Sequence, residues 1–174
     1  DRLCVGWGAC IGSGGGNITH HAANYGVEVE ELILISGKSE SELCDETCVV
    51  DNSVYSHVID KAVALSGDTF FGLHAGENLN NAAAGLIAQI TQSCSTVKQA
   101  LEYCCEFANL GCSTLPMSLQ EEKSYYKVLI NPQGNFAQEF PLAFRHTTDG
   151  VLAFTIKEFQ SLTRQKHRPI AVYL

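Results

Sequence analysis

Two neighbouring stretches decide the fold class. Residues 95–111 read STVKQALEYCCEFANLG, and residues 115–130 read LPMSLQEEKSYYKVLI. In the first stretch apolar side chains recur every three or four residues, which is typical of a helix with one buried face. In the second stretch apolar and polar residues alternate on both sides of a turn at 121–124, which predicts a β-hairpin with one apolar face. We expect Ser95 to cap the helix and Gly111 to end it.

The chain before this helix is also predicted to be helical. Its start and stop signals are capping residues and glycines, which favour helix ends. The predicted helices are residues 27–35 ending at Gly37, a short helix behind a Ser39–Glu42 capping box, a helix that follows Asp51 and closes at Ser66-Gly67-Asp68, and residues 82–90. Between the last two of these helices, Phe70, Phe71 and Leu73 form a compact apolar group that ends at Gly76.

After the hairpin, residues 142–164 fit one long helix. Its inward-facing residues are predicted to be Phe144, Val151, Leu152, Phe159 and Leu162. Pro169 interrupts any helix there, and the apolar run Ile170–Leu174 predicts a strand. The predicted fold class is α+β, with an N-terminal helical layer followed by an antiparallel β-hairpin sheet covered by long helices.

Composition narrows the class of protein. The chain has 174 residues, 45% hydrophobic and 17% charged, with a net charge of -8. This is a globular balance without a membrane-spanning stretch, and its negative charge disfavours direct DNA binding. The basic cluster Arg164, Lys166, His167 and Arg168 is interpreted as a solvated helix end. The eight cysteines have neither disulfide nor zinc spacing, so we expect reduced, mostly buried thiols in a cytoplasmic protein.

Catalytic chemistry is not expected. Cys104 or Cys105 with His74 or His146 would be the candidate Cys–His pair, but both cysteines lie on the apolar stripe of the 95–111 helix, where a thiol is packed and inert. No hydrolase, zinc-protease or phosphate-loop motif is present. We therefore expect no catalytic residues, no metal and no cofactor. Haem or metal sensing through His74 is a lesser alternative to simple packing.

A ligand pocket is the more plausible kind of site. Pockets are mostly apolar, with a few orienting polar groups. The candidate lining is aromatic: Tyr103, Phe107, Tyr126 and Phe144. Arg145 and His146 could supply charge to an acidic effector, although a surface position is expected for both. His20 and His21 point to different helix faces, and solvent exposure is expected for them.

Three sets of residues together resemble a known family. They are Gly26-Val27 with Leu32, Ile33 and Ser36-Gly37; Val54-Tyr55 with Ser66-Gly67-Asp68, Phe71-Gly72-Leu73-His74 and Gly76-Glu77; and Gly85-Leu86 with Ser93 and residues 95–101. The series resembles the arabinose-binding-type N-terminal domain of AraC-type bacterial transcription regulators. It spans residues 26–174 and leaves 1–25 as a poorly defined N-terminal segment. His74 departs from the pattern, since family members usually carry a larger charged residue there.

The resemblance implies an effector-sensing domain that acts on DNA only through a C-terminal helix-turn-helix region absent from this chain. The effector is a small molecule of unknown identity, and a homodimer without membrane contact is the candidate assembly. The alternative is a dimerisation module without a ligand, which a second exposed apolar stripe on residues 142–164 would favour. The motif residues have structural roles: Gly67 and Asp68 form a turn, Phe71 and Leu73 fill the core, and Gly72 and Gly76 allow close backbone approach.

Overall fold

The computed structural model describes residues 18–43, 50–79, 85–111, 115–166 and 168–173. These residues form helices and an antiparallel hairpin, which confirms the predicted α+β class. In chain order the elements are α1 (Ile18–Ala23), α2 (Val29–Ser36), α3 (Glu40–Leu43), α4 (Asn52–Ser66), α5 (Phe71–Asn78), α6 (Gly85–Gln92), α7 (Val97–Gly111), β1 (Met117–Glu121), β2 (Tyr126–Ile130), α8 (Phe136–Glu139) and α9 (Pro141–Thr163).

Local signals set several helix ends where the sequence predicted them. Gly37 and Gly67, which follow α2 and α4, have positive φ angles of 65° and 66°, a conformation that side chains disfavour. Before α3, the Ser39 N–H donates to the Glu42 carboxylate at 2.8 Å and the Glu42 N–H donates to Ser39 Oγ at 3.3 Å. This is the predicted capping box. Asp51 stands at the N-cap of α4, but its side chain makes no capping hydrogen bond.

The cap of α7 lies one residue later than predicted. Thr96 Oγ1 accepts a hydrogen bond from the Gln99 N–H at 3.1 Å, and the Gln99 side-chain oxygen accepts one from the Ser95 N–H at 3.1 Å. The prediction for Ser95 was therefore wrong, and Thr96 closes the first turn. Serine and threonine both suit an N-cap, so two adjacent hydroxyl residues are not distinguished by pattern alone.

The core lies where α4 contacts α1, α2 and α9. Tyr55 of α4 is fully buried, and its hydroxyl lies 3.0 Å from Thr147 Oγ1 of α9. This hydrogen bond satisfies two polar groups that burial would otherwise destabilise. The buried apolar residues of this core are Ile18, Ala22, Val27, Leu32, Leu43, Val50, Val58, Ile59, Ala62, Phe71, Leu115, Phe136 and Ala143.

The predicted hairpin is confirmed and lies beside α7. Its strands pair antiparallel with Leu119 opposite Val128 and Glu121 opposite Tyr126. Helix α7 packs against β1 on one side and α6 on another. On the surface, Lys98 Nζ of α7 lies 2.6 Å from the Glu121 carboxylate of β1. The hairpin and these two helices thus form one layer of the fold.

The long C-terminal helix is confirmed, but the strand after it is not. Helix α9 spans Pro141–Thr163, close to the predicted 142–164, and Phe159 is buried. Residues 168–173 contain no strand, and Ile170 and Tyr173 are 87% and 90% exposed. The prediction of a strand there was wrong because an apolar run becomes a strand only when a neighbouring strand accepts its backbone hydrogen bonds.

Candidate functional site

Helix α5 lies so close to α9 that their backbones touch. The sequence predicted only an apolar group here, whereas residues 71–78 form a helix. A Cβ atom at Gly72 would lie 2.0 Å from the His146 carbonyl oxygen, and one at Gly76 would lie 2.2 Å from the Gly150 carbonyl oxygen. Both distances are far below van der Waals contact. The two glycines, one helical turn apart, therefore form the face of α5 that meets α9.

His146 is buried at this crossing, so the predicted surface position was wrong. It is 3% exposed, and its Nδ1 accepts a hydrogen bond from the Gly72 N–H at 3.2 Å. That amide is among the first N–H groups of α5, which have no partner within the helix. Burial lowers the pKa of His146 and so favours the neutral ring that can accept this bond. The neighbouring Arg145 is on the surface as predicted.

His21 is a second histidine that the structure places inside the protein. It is 3% exposed, with its ring 5.0 Å from the Phe71 ring and 5.3 Å from the Tyr25 ring. The predicted solvent exposure was wrong. Two adjacent histidines do face different directions on a helix, and this one faces the helical layer.

Asp68 joins three groups at the start of α5. Its carboxylate accepts hydrogen bonds from the Tyr25 hydroxyl at 2.7 Å and the Phe70 N–H at 2.9 Å, and lies 2.7 Å from His74 Nδ1. Burial raises the pKa of Asp68, but the bonds from His74, Tyr25 and Phe70 outweigh it and hold the pKa at about 2. His74 is thus engaged by a carboxylate. Among the described residues, no group of three His, Cys, Asp or Glu side chains is placed to hold a metal ion.

The described cysteines are free thiols. Cys94, Cys104 and Cys105 are half-buried, and burial raises the pKa of Cys104 to about 11. A thiol with such a pKa has almost no thiolate near neutral pH, so it is a poor nucleophile. The candidate histidine partners, His74 and His146, form the contacts with Asp68 and Gly72 described above. The other five cysteines lie outside the described residues.

The four predicted aromatic ligand residues lie in two parts of the molecule. Tyr103 and Phe107 are neighbours on α7, with ring centroids 6.1 Å apart. Tyr126 lies on β2, is 41% exposed, and has Lys98 Nζ 6.0 Å from its ring centroid. Phe144 packs against the buried Phe136 at 6.5 Å. Their role in ligand binding stays a prediction, and the structure does not bring all four together.

A cavity of about 510 Å³ lies beside the crossing of α5 and α9. Leu73 of α5 is 37% exposed, so it lines this cavity and does not fill the core as the sequence predicted. None of the four aromatic residues borders the cavity. Its lining is mostly apolar, with four polar side chains: Leu73, Glu77, Asp149, Leu152, Ala153, Ile156, Lys157, Gln160 and Val172. The sequence carried no signal for it, because its residues come from three separate parts of the chain.

The lining includes one cation that is already bonded to backbone. Lys157 Nζ donates hydrogen bonds to the carbonyl oxygens of Glu77, at 2.8 Å, and Leu79. These carbonyls lie at the C-terminal end of α5, where helix ends carry partial negative charge and attract cations. Lys157, at the border of the cavity, therefore ties α9 to α5.

The fold and the cavity together suit a domain that binds a small molecule, since such sites are concave, mostly apolar and carry a few polar groups. Comparison with family models is specific: residues 26–174 match the N-terminal arabinose-binding domain of AraC transcription regulators. The chain belongs to this family, and is a regulatory, ligand-sensing N-terminal domain of that class. A comparison with curated proteins finds no match. Of the described helices, none is long and apolar enough to cross a membrane.

Proposed function

We propose that this chain senses a small effector in the cytoplasm and so controls DNA binding by a C-terminal helix-turn-helix region of the same regulator. The observation that carries the proposal is the match over residues 26–174, together with a cavity of about 510 Å³ in the matched part. That volume lies within the usual range of small-molecule sites. The net charge of -8 agrees with a domain that leaves DNA contacts to another part of the protein.

The proposed mechanism is a shift between two arrangements of the regulator. An effector that binds one arrangement more tightly raises its population, and the size of the shift is set by the difference in affinity. The crossing of α5 and α9 is a suitable element for this, since the cavity lies beside it and both helices contact the core. By linkage, DNA binding must change effector affinity by the same factor.

Catalysis has no part in this proposal, and neither does dimerisation as the sole function. A dimerisation module would favour an exposed apolar stripe on α9. Along this helix, Leu142 is 41% exposed, whereas Ala143, Ala153 and Phe159 are buried. Part of the apolar surface of α9 is thus buried within the chain, and another part, Leu152 and Ile156, lines the cavity, where the proposal assigns it to a ligand.

Native mass spectrometry of the purified chain tests the proposal first. A retained small molecule, with the subunit count in the same spectrum, is the expected result. The regulator carrying both halves is then titrated with DNA, with and without that molecule. A molecule that binds the chain but leaves DNA affinity unchanged would contradict a sensing role.

A further inference from the structure

The cavity beside α5 and α9 has a chemical bias that indicates what it binds. Its apolar surface comes from Leu73 on α5, residues 152, 153 and 156 on α9, and Val172. An apolar part of a ligand gains free energy on leaving water for such a surface. A sugar gains little there, since each of its hydroxyl groups needs a hydrogen-bonding partner when it is buried.

Charge distinguishes among the remaining ligands. Two carboxylates, Glu77 of α5 and Asp149 of α9, border the cavity. Asp149 is largely buried, with 15% of its side chain exposed, and its nearest cation is Arg145, whose Nε is 3.8 Å away. That separation exceeds a hydrogen bond, and Arg145 itself is largely exposed to solvent, which weakens the pair.

The cation in the lining offsets only one of the two carboxylates, which leaves the lining with a net negative charge. Lys157 keeps its charge, but it donates to two main-chain oxygens of α5, so its ammonium is held at the helix end. Within the described residues, Glu77 has no ion pair. The net charge of -8 adds a long-range attraction for positive ligands.

We infer that this cavity binds a small amphipathic cation, an amine with an apolar body, and that Glu77 and Asp149 receive the ammonium group. The inference rests on the proposed sensing function and names its ligand class. The apolar body lies on Leu152 and Ile156, and the ammonium donates charge-assisted hydrogen bonds to the carboxylates. The family name would suggest a sugar, whereas the lining favours an amine.

Isothermal titration calorimetry with three probes tests the assignment: n-hexylammonium chloride, sodium hexanoate and L-arabinose. Hexylammonium is expected to bind at least about tenfold more tightly than hexanoate, since loss of one charge-assisted hydrogen bond is worth about that factor. The double variant E77Q/D149N is expected to lose at least about tenfold in hexylammonium affinity. The matched control is E102Q, which removes an exposed carboxylate on α7, away from the cavity. The affinity of this variant for hexylammonium is expected to stay at the wild-type value.

Three results overturn the inference: no binding of hexylammonium, binding of hexanoate as tight as that of hexylammonium, or equal hexylammonium affinity in wild type and E77Q/D149N. Circular dichroism confirms that each variant is folded. The two proposals fail separately. If hexylammonium does not bind, while arabinose binds and alters DNA affinity equally in wild type and the double variant, the cavity assignment is wrong and sensing stands. If hexylammonium binds as expected but DNA affinity is unchanged, the cavity assignment stands and sensing by this ligand is wrong.

Discussion

Gly72→Ala is expected to destabilise the protein strongly although it places a better helix former inside a helix. The new methyl carbon would lie 2.0 Å from the His146 carbonyl oxygen, whereas ordinary contact begins near 3.4 Å. The clash is with the backbone of another helix, so no side chain can rotate away. The crossing of α5 and α9 must therefore open by about 1.4 Å, the difference between those distances.

Three contributions set the size of the effect. Overpacking of a close contact costs about 1–3 kcal/mol. The Gly72 N–H to His146 bond, now 3.2 Å long, would be broken as the helices separate, and a buried unsatisfied donor costs about 1–3 kcal/mol. In the opposite direction, alanine stabilises a helix interior by about 1 kcal/mol relative to glycine. We expect a net loss of about 3 kcal/mol in the free energy of unfolding, a large share of the roughly 5–15 kcal/mol typical of a domain.

Urea unfolding followed by circular dichroism measures this loss. The matched control is Gly67→Ala, where φ is 66° and nothing lies within 4 Å of the added carbon; strain alone is expected to cost about 1–2 kcal/mol there. Gly76→Ala, with a contact of 2.2 Å, is expected to resemble Gly72→Ala, and Gly150→Ala, at 3.0 Å, to be milder. A Gly72→Ala protein as stable as wild type would refute the close packing of the two helices.

Three further predictions concern titratable groups. Asp68→Asn is expected to lower the free energy of unfolding by about 1–3 kcal/mol. Because the native pKa of about 2 lies below the ordinary 3.8, the stabilisation by Asp68 in the wild type is full above pH 3.8 and is lost as pH falls through about 2. If urea unfolding of the variant shows the same loss of stability at acid pH as the wild type, this role of Asp68 is contradicted. Burial lowers the pKa of His146, so its contribution to the free energy of unfolding is full above pH 6.5 and decreases below that pH, where the unfolded chain takes up the proton first. In thermal unfolding, His146→Gln is expected to lack this decrease in stability below pH 6.5. If the decrease persists in the variant, another group causes it. Cys104 has a pKa of about 11 against an ordinary 9.0. At pH 8 it is therefore expected to react with iodoacetamide about 100-fold more slowly in the folded than in the urea-unfolded protein. Peptide mass mapping measures both rates, and equal rates would show that the thiol is exposed.

The correct predictions from sequence depend on residues close together in the chain. The Ser39–Glu42 capping box joins groups three residues apart, and Gly37 and Gly67 adopt φ values that their own lack of a side chain permits. The recurrence of apolar residues every three or four positions in α7, and every second position in the hairpin, is also a pattern among residues close together in the chain. Where two neighbours could do the same work, as Ser95 and Thr96 do, local pattern was insufficient.

The other wrong predictions involve partners that are distant in sequence. His21 is buried because Phe71 lies against it, and His146 because Gly72 does. The four candidate aromatic residues lie on separate elements, and the sequence does not show which of these elements meet. The cavity itself depends on where residues 168–173 pass relative to α9, which no periodicity encodes.

By itself, then, the order of residues determined the fold class, the family and most of the main elements, although not the helix at residues 71–78, since helical and strand periods, caps and turns act over a few residues. Tertiary structure alone decided that α5 meets α9 at two glycines, that two histidines are internal, and that a cavity opens beside Leu73 and Ile156. The physical reason is that burial and close contact are properties of pairs of elements, and the partner of each element is fixed only when the whole chain packs.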